Sequence, residues 1–312
     1  MRKAFLGIDT SNYRTSCAVV DEDGKILYNH RELLKVPEGK RGLRQSEAFF
    51  QHVQRLPEVI EEAMEFRDSI VSVGVSTRPR PREGSYMPCF TAGTACAREI
   101  ASALNVPLVE VSHQEGHVAA VKFFSEMRDD EDVIFYHFSG GTTEAILKDE
   151  IIGGTGDISF GQVLDRIGVR LGMQFPSGEE MDKIALKGGE YKPSLTPIKV
   201  RDGHLNLSGI ETQAMRVLDH YEEEGKTEAD GLIREVMDKI TDSIILMSRQ
   251  LAEANNINKF IFAGGVSSSG YIRQRIAEEF RGKYSYVFGS PELSGDNACG
   301  VAILAGKGYL WP

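Results

Sequence analysis

The stretch AFLGIDTSNYRTSCAVV (residues 4–20) sets two apolar runs on either side of a polar turn, and VIFYHFSGGTTEAIL (133–147) repeats the arrangement far downstream. Alternating apolar runs bounded by Ser, Thr, Asn and Gly predict strand, turn, strand. The first copy continues through the turn DEDG into KILYNH, a three-strand meander; the second continues through KDE into another short strand. The same motif at two distant places predicts a duplicated fold. Each turn also offers backbone N–H groups and hydroxyls to a phosphate.

Between and after the copies the period changes. Helical spacing runs through 46–66, with an interruption expected near Pro57, and through 91–105 and 230–255. Residues 72–77 and 107–111 are apolar enough for buried strands, and KFIFAGGVSSSG leads from a strand through a glycine turn into the helix YIRQRIAEEF. Strands alternating with helices predict an α/β architecture. A first lobe is expected over 1–112 and a second over 113–295, with an irregular or hairpin-like insertion near 188–209. A last helix, about 296–312, is expected to pack back on the first lobe.

Bulk properties exclude some classes. With 46 acidic against 36 basic residues, the net charge of −10 argues against a large non-specific nucleic-acid footprint. The apolar start breaks at Asp9, too early for a signal sequence, and no run reaches the ~18 residues of a membrane span. A cytoplasmic protein without a membrane partner is expected. Cys17, Cys89, Cys96 and Cys299 form no CxxC pair, which fits free thiols in a reducing compartment.

Chemistry is concentrated in HQEGH (113–117). Two histidines four apart on a helix face one side, which fits either a metal site or a coincidence of spacing. The pattern is not HExxH, because Gln114 follows the first histidine and Glu115 comes one place late, so peptidase chemistry is disfavoured. FAGGVSSSG ends a strand in a glycine pair, Gly264 and Gly265, where a backbone can approach a ligand closely.

With FLGIDTS, VSHQEGH, FSGGTTEAI, FGQVLDRIGVRLGMQFPSG, FAGGVSSSG and PELSGDNACGVAILAG in this order, the chain resembles the TsaD family over essentially its whole length. That family comprises the catalytic subunits of tRNA threonylcarbamoyladenosine synthesis, once labelled glycoproteases. The resemblance implies a two-lobed actin-like ATPase fold, ribonuclease H-like and duplicated, with nucleotide and metal in a cleft between the lobes. It implies His113, His117 and Asp296 as ligands of one divalent metal, iron or zinc. It further implies His137, Phe138, Ser139, Gly140 and Gly141 around the phosphates of ATP or an acyl-adenylate, with Mg2+ as a further ion. Asp165, Gly178 and Asp182 are implied for ribose and base, with Gly264, Gly265 and Ser269 at the late glycine turn.

Departures from the family are equally specific. Where the resemblance calls for a cysteine and an acidic pair at the first turn, the chain has Asn12, Tyr13 and Arg14, which leaves no catalytic carboxylate there. The expected glycine-rich turn after the third buried strand is RPRPREG (78–84), whose arginines fit either an anion clamp or a solvated loop. The leading expectation is a metal-dependent threonylcarbamoyl or carbamoyl transferase with a nucleotide and tRNA as partners. One alternative is a catalytically weak paralogue that binds nucleotide and metal and serves as a regulatory or scaffolding subunit. The other is a carbamoyltransferase acting on a small molecule. A homodimer, or a heterodimer with a related actin-like subunit, is expected through the helix SEAFFQHVQRLPEVIEEAM.

Overall fold

AFLGIDTS is buried at all eight of its positions, as a strand covered on both faces must be. The computed structural model describes residues 2–11, 13–37, 42–148, 150–225, 229–295 and 298–310. The chain divides into two units, 1–128 with 292–312 and 129–291.

In unit 1, β1 (Ala4–Ser11), β2 (Arg14–Asp21) and β3 (Ile26–Leu33) form the antiparallel meander. Helix α1 (Gln45–Ala63) leads to β4 (Ile70–Arg78), α2 (Phe90–Leu104), β5 (Leu108–Ser112) and α3 (His113–Phe123). The sheet order is β3-β2-β1-β4-β5, with β4 and β5 parallel to β1.

In unit 2, β6 (Ile134–Phe138), β7 (Thr143–Leu147) and β8 (Glu150–Thr155) repeat the meander. Helices α4 (Phe160–Arg170) and α5 (Gly178–Lys187) follow, then the hairpin β9 (Val200–Arg201) and β10 (His204–Leu205), which resolves the irregular segment 188–209. The unit continues with α6 (Ser208–Glu223), α7 (Asp230–Asn255), β11 (Lys259–Ala263), α8 (Gly270–Phe280) and β12 (Ser285–Phe288). The four-residue α9 (Pro291–Ser294) precedes α10 (Cys299–Ala305).

Read from its meander, the second sheet runs β8-β7-β6-β11-β12, the order of the first, and the β9–β10 hairpin adds to the β8 edge. The duplication suggested by the two hairpins is therefore a duplication of topology.

Two differences from the sequence expectation have physical reasons. Helix α1 runs unbroken through Pro57. Proline removes the N–H that would bond the Val53 carbonyl, and both residues sit on the exposed side, where water replaces the donor. The unit boundary falls at Arg128 rather than residue 112, because α3 packs on α10 inside unit 1. A Cβ on Gly300 would overlap the Gly116 carbonyl, so the two helices touch backbone to backbone there. Residue 296, where the last helix was expected to start, lies outside the described residues; α10 packs on β1 and α3.

Candidate functional site

Helix α3 begins where β5 ends, and its start is held by a capping box. Glu115 N–H donates to Ser112 Oγ at 3.1 Å, and Ser112 N–H donates to Glu115 Oε2 at 2.7 Å. The Glu115 carboxylate is thereby committed to helix geometry, with Arg78 Nη2 3.8 Å away. Arg78, from the cationic loop, also donates to Thr77 Oγ1 at 3.2 Å, whereas Arg82 is exposed.

The capped start sets His113 on the first turn and His117 one turn on, on one helix face. Their Nε2 atoms lie 3.0 Å apart. His113 Nδ1 meets Asp9 Oδ1 at 3.1 Å, and Ser76 Oγ bonds the same oxygen. A buried carboxylate accepts, so His113 carries its proton on Nδ1 and turns the Nε2 lone pair toward His117.

This arrangement fits a divalent metal. Two imidazole nitrogens each about 2.0–2.1 Å from one ion come about 3 Å apart, and a ligating histidine is usually steadied by a carboxylate on its other nitrogen. Among the described residues no group of three His, Cys, Asp or Glu could hold an ion by itself. Asp296, the third ligand the resemblance implies, lies outside the described residues, as does Asn12.

Sequence reasoning missed Asp9. The signal was available: a carboxylate that directly follows five apolar residues of a strand falls in the buried part of the sheet, where it needs partners, and Asp9 is fully buried. Also missed was His52 of α1, fully buried, whose Nδ1 lies 2.8 Å from Thr15 Oγ1. Burial pushes this imidazole down to about 4, with Asp9 opposing. Its neutral form is therefore the one that packs between α1 and β2.

Unit 2 collects the residues implied for a nucleotide. His137 and Phe138 end β6 and are buried. The turn Ser139–Thr142 is closed by Ser139 N–H to Thr142 O at 2.8 Å, and Ser139 Oγ accepts from the N–H groups of Gly141 and Thr142. Ser159, the N-cap of α4, donates to Gly140 O at 2.8 Å and so ties the turn to that helix.

Gly264 has φ +93°, in the left-handed region, and a Cβ there would overlap Phe138 O. This close approach sets Gly264, just after β11, against the end of β6. At Gly140, Gly141, Gly178 and Gly265, by contrast, an added Cβ would meet open space. Internal packing does not require glycine at those four positions.

Asp182 and Ser269 are brought together. Ser269 Oγ bonds the Asp182 carboxylate, which also accepts from Gly270 N–H at 2.9 Å and Tyr271 N–H at 3.0 Å, so Asp182 anchors the start of α8. Asp165 accepts from Ser177 N–H at 2.8 Å, beside Gly178, and burial pushes its carboxyl above the usual range. Both aspartates hold loops in place and keep oxygen lone pairs for further donors.

No described helix is long and apolar enough to cross a membrane. All four cysteines are free, and Cys17, Cys89 and Cys299 are buried.

Comparisons with known proteins agree with this topology. A solved structure, component A of the Acidaminococcus fermentans (R)-2-hydroxyglutaryl-CoA dehydratase, superposes with a TM-score of 0.62 over 98% of this chain and 99% of that one, at 13% identity. With ROK-family kinases also among the structural neighbours, the fold is a two-lobed α/β fold of the actin-like ATPase type. A tRNA N6-adenosine threonylcarbamoyltransferase of Dictyoglomus turgidum is 30% identical, over 97% of this chain and 94% of the relative. The Methanopyrus kandleri protein of the same description is 27% identical, over 98% and 86%. The family model for TsaD, tRNA N6-adenosine threonylcarbamoyltransferase, matches residues 30–303, and the chain belongs to that family.

Proposed function

We propose that the protein transfers a threonylcarbamoyl group to adenosine N6 of a tRNA from a threonylcarbamoyl-adenylate. The observation that carries the reading is the His113–His117 pair, with Nε2 atoms 3.0 Å apart and His113 buttressed by Asp9, in a chain of this family. His113, His117 and Asp296 would hold one divalent metal. Bound there, the ion would supply Lewis-acid polarisation of the acyl carbonyl.

The chain's own residues orient the reactants. Asp9 fixes the His113 ring and its tautomer. The open space at Gly140, Gly141 and Gly265 lets the phosphate of the adenylate approach the backbone, with the N–H groups of Gly140 and Gly265 as its donors, while Asp165 and Asp182 accept from ribose hydroxyls. As N6 bonds to the carbonyl carbon, the bond from that carbon to the phosphate oxygen breaks and AMP departs. Tyr13 and Arg14 offer no carboxylate base, so the N6 proton passes to solvent.

The exposed side chains of Phe50 and Val53, 56% and 47% accessible on α1, support a protein partner on that helix. The same turn residues, Tyr13 and Arg14, favour a second reading: a regulatory paralogue that binds nucleotide and metal without transfer.

One experiment separates the two. Purified protein loaded with Fe2+ or Zn2+ is incubated with threonylcarbamoyl-adenylate and unmodified tRNA, and the adenosine is analysed by mass spectrometry. Modified adenosine is expected, and it should vanish in His113→Ala together with the bound metal. Tight nucleotide binding without any modified adenosine would sink the transferase reading.

A further inference from the structure

The first hairpin leaves two polar side chains without partners among the described residues. Asp9 stands opposite Ser16 across the β1–β2 ladder, and Ser11 stands opposite Arg14. Residues two apart on a strand, and residues directly opposite on an antiparallel pair, share a face. Ser11 and Arg14 therefore lie on the face where Asp9 meets His113, about 7 Å further along the strand.

Ser11 is 3% exposed, and its buried Oγ has no hydrogen-bond partner among the described residues. Arg14 is half-buried and makes no hydrogen bond or ion pair among the described residues. Every other partly buried described arginine, from Arg31 and Arg78 to Arg273 and Arg275, has a partner. The exception is not for want of carboxylates, since acids outnumber bases 46 to 36.

An unpartnered hydroxyl donor and an unpartnered guanidinium about 5 Å apart at their Cβ atoms match one kind of ligand. The planar fork of an arginine accommodates a carboxylate or phosphate through two parallel N–H···O bonds, and a serine hydroxyl adds a third donor. We infer that Ser11 and Arg14 form an oxyanion subsite beside the His113–His117 pair, which takes the carboxylate or a phosphate of the acyl donor. The identity of that donor rests on the transferase reading; the subsite itself rests on the hairpin register and the two unsatisfied groups.

The test is titration calorimetry on the full-length, metal-loaded protein with N-carbamoylthreonine, its methyl ester and inorganic phosphate, in wild type, Arg14→Met, Arg14→Lys and Ser11→Ala. An anionic probe should bind wild type and lose roughly ten- to hundredfold in affinity in Arg14→Met. Arg14→Lys should recover part of the loss, and Ser11→Ala should show a smaller one. Binding of the acid but neither the ester nor phosphate assigns a carboxylate; binding of phosphate alone assigns a phosphoryl group. Equal affinity in wild type and Arg14→Met, or no binding of either anion to wild type, overturns the subsite. Ser11→Ala carries the test if Arg14→Met fails to fold.

Metal content, nucleotide affinity and tRNA modification are measured on the same samples. Arg14-dependent anion binding without modification sinks only the transferase reading. Normal modification with Arg14-independent anion binding sinks only the subsite.

Discussion

The first hairpins of the two units occupy the same place in the same sheet order, yet they present different chemistry. In unit 1 the hairpin ends in side chains: Asp9, Ser11 and Arg14 share a face, and Asp9 reaches His113. In unit 2 the corresponding turn, Ser139–Thr142, consists of a serine that accepts from its own turn and two glycines whose missing side chains leave open space. A turn rich in side chains can grip an ion or orient an imidazole. A glycine turn offers N–H groups to a phosphate. Duplication supplied one scaffold, and composition at a few positions gave each copy its own task.

That contrast can be broken most forcefully at the backbone of unit 2. Gly264→Ala forces a residue into the left-handed region and drives its Cβ into Phe138 O, so we expect a loss of about 3 kcal/mol or more in urea unfolding. Gly140→Ala meets no atom and should leave stability within about 0.5 kcal/mol while weakening nucleotide binding by calorimetry. If Gly140→Ala lowered stability by about 2 kcal/mol or more and left nucleotide affinity intact, the glycine turn would be a packing device.

In unit 1 the vulnerable feature is a buried side chain. His52 titrates near 4 in the fold and near 6.5 when unfolded. Between those values the unfolded chain binds more protons, so stability rises with pH. The contribution is complete above about pH 6.5 and is lost as pH falls toward 4, about 2 kcal/mol by pH 5 and about 3 kcal/mol at the limit. Unfolding measured from pH 7 to 4.5 should show a shallower slope in His52→Gln. Equal slopes in the two proteins would remove His52 from the account.

The mildest test sharpens the role of Asp9. Asp9→Asn keeps the shape but exchanges the charged acceptor for a neutral amide, and should weaken Fe2+ or Zn2+ affinity roughly ten- to hundredfold by competition with a chelator. Nucleotide binding should stay unchanged. Unaltered metal affinity would show that the carboxylate does not steady His113.

Much of the fold was legible because periodicity reports burial. The long helix α7 spans 230–255 as its spacing implies, and the paired hairpins announced the repeated sheet. The break expected at Pro57 did not occur, since an exposed carbonyl tolerates the loss of one donor. That the first unit extends to Arg128 was not legible, because the contact between Gly116 and Gly300 joins segments far apart in the chain. At the site, the histidines announced themselves by spacing, but Asp9 and Ser76 did not, because Asp9 reaches His113 from β1 and Ser76 reaches Asp9 from β4, both far from His113 in the chain.

The sequence by itself determined the element types and the duplication, and it offered candidates for metal and phosphate binding, since these follow from local period and side-chain type. Only the tertiary structure decided that Glu115 is a helix cap, that Asp182 anchors α8 and that Asp9 turns the His113 ring. A carboxylate has the same acceptor chemistry in every setting, and its role is set by which donor the fold brings within about 3 Å.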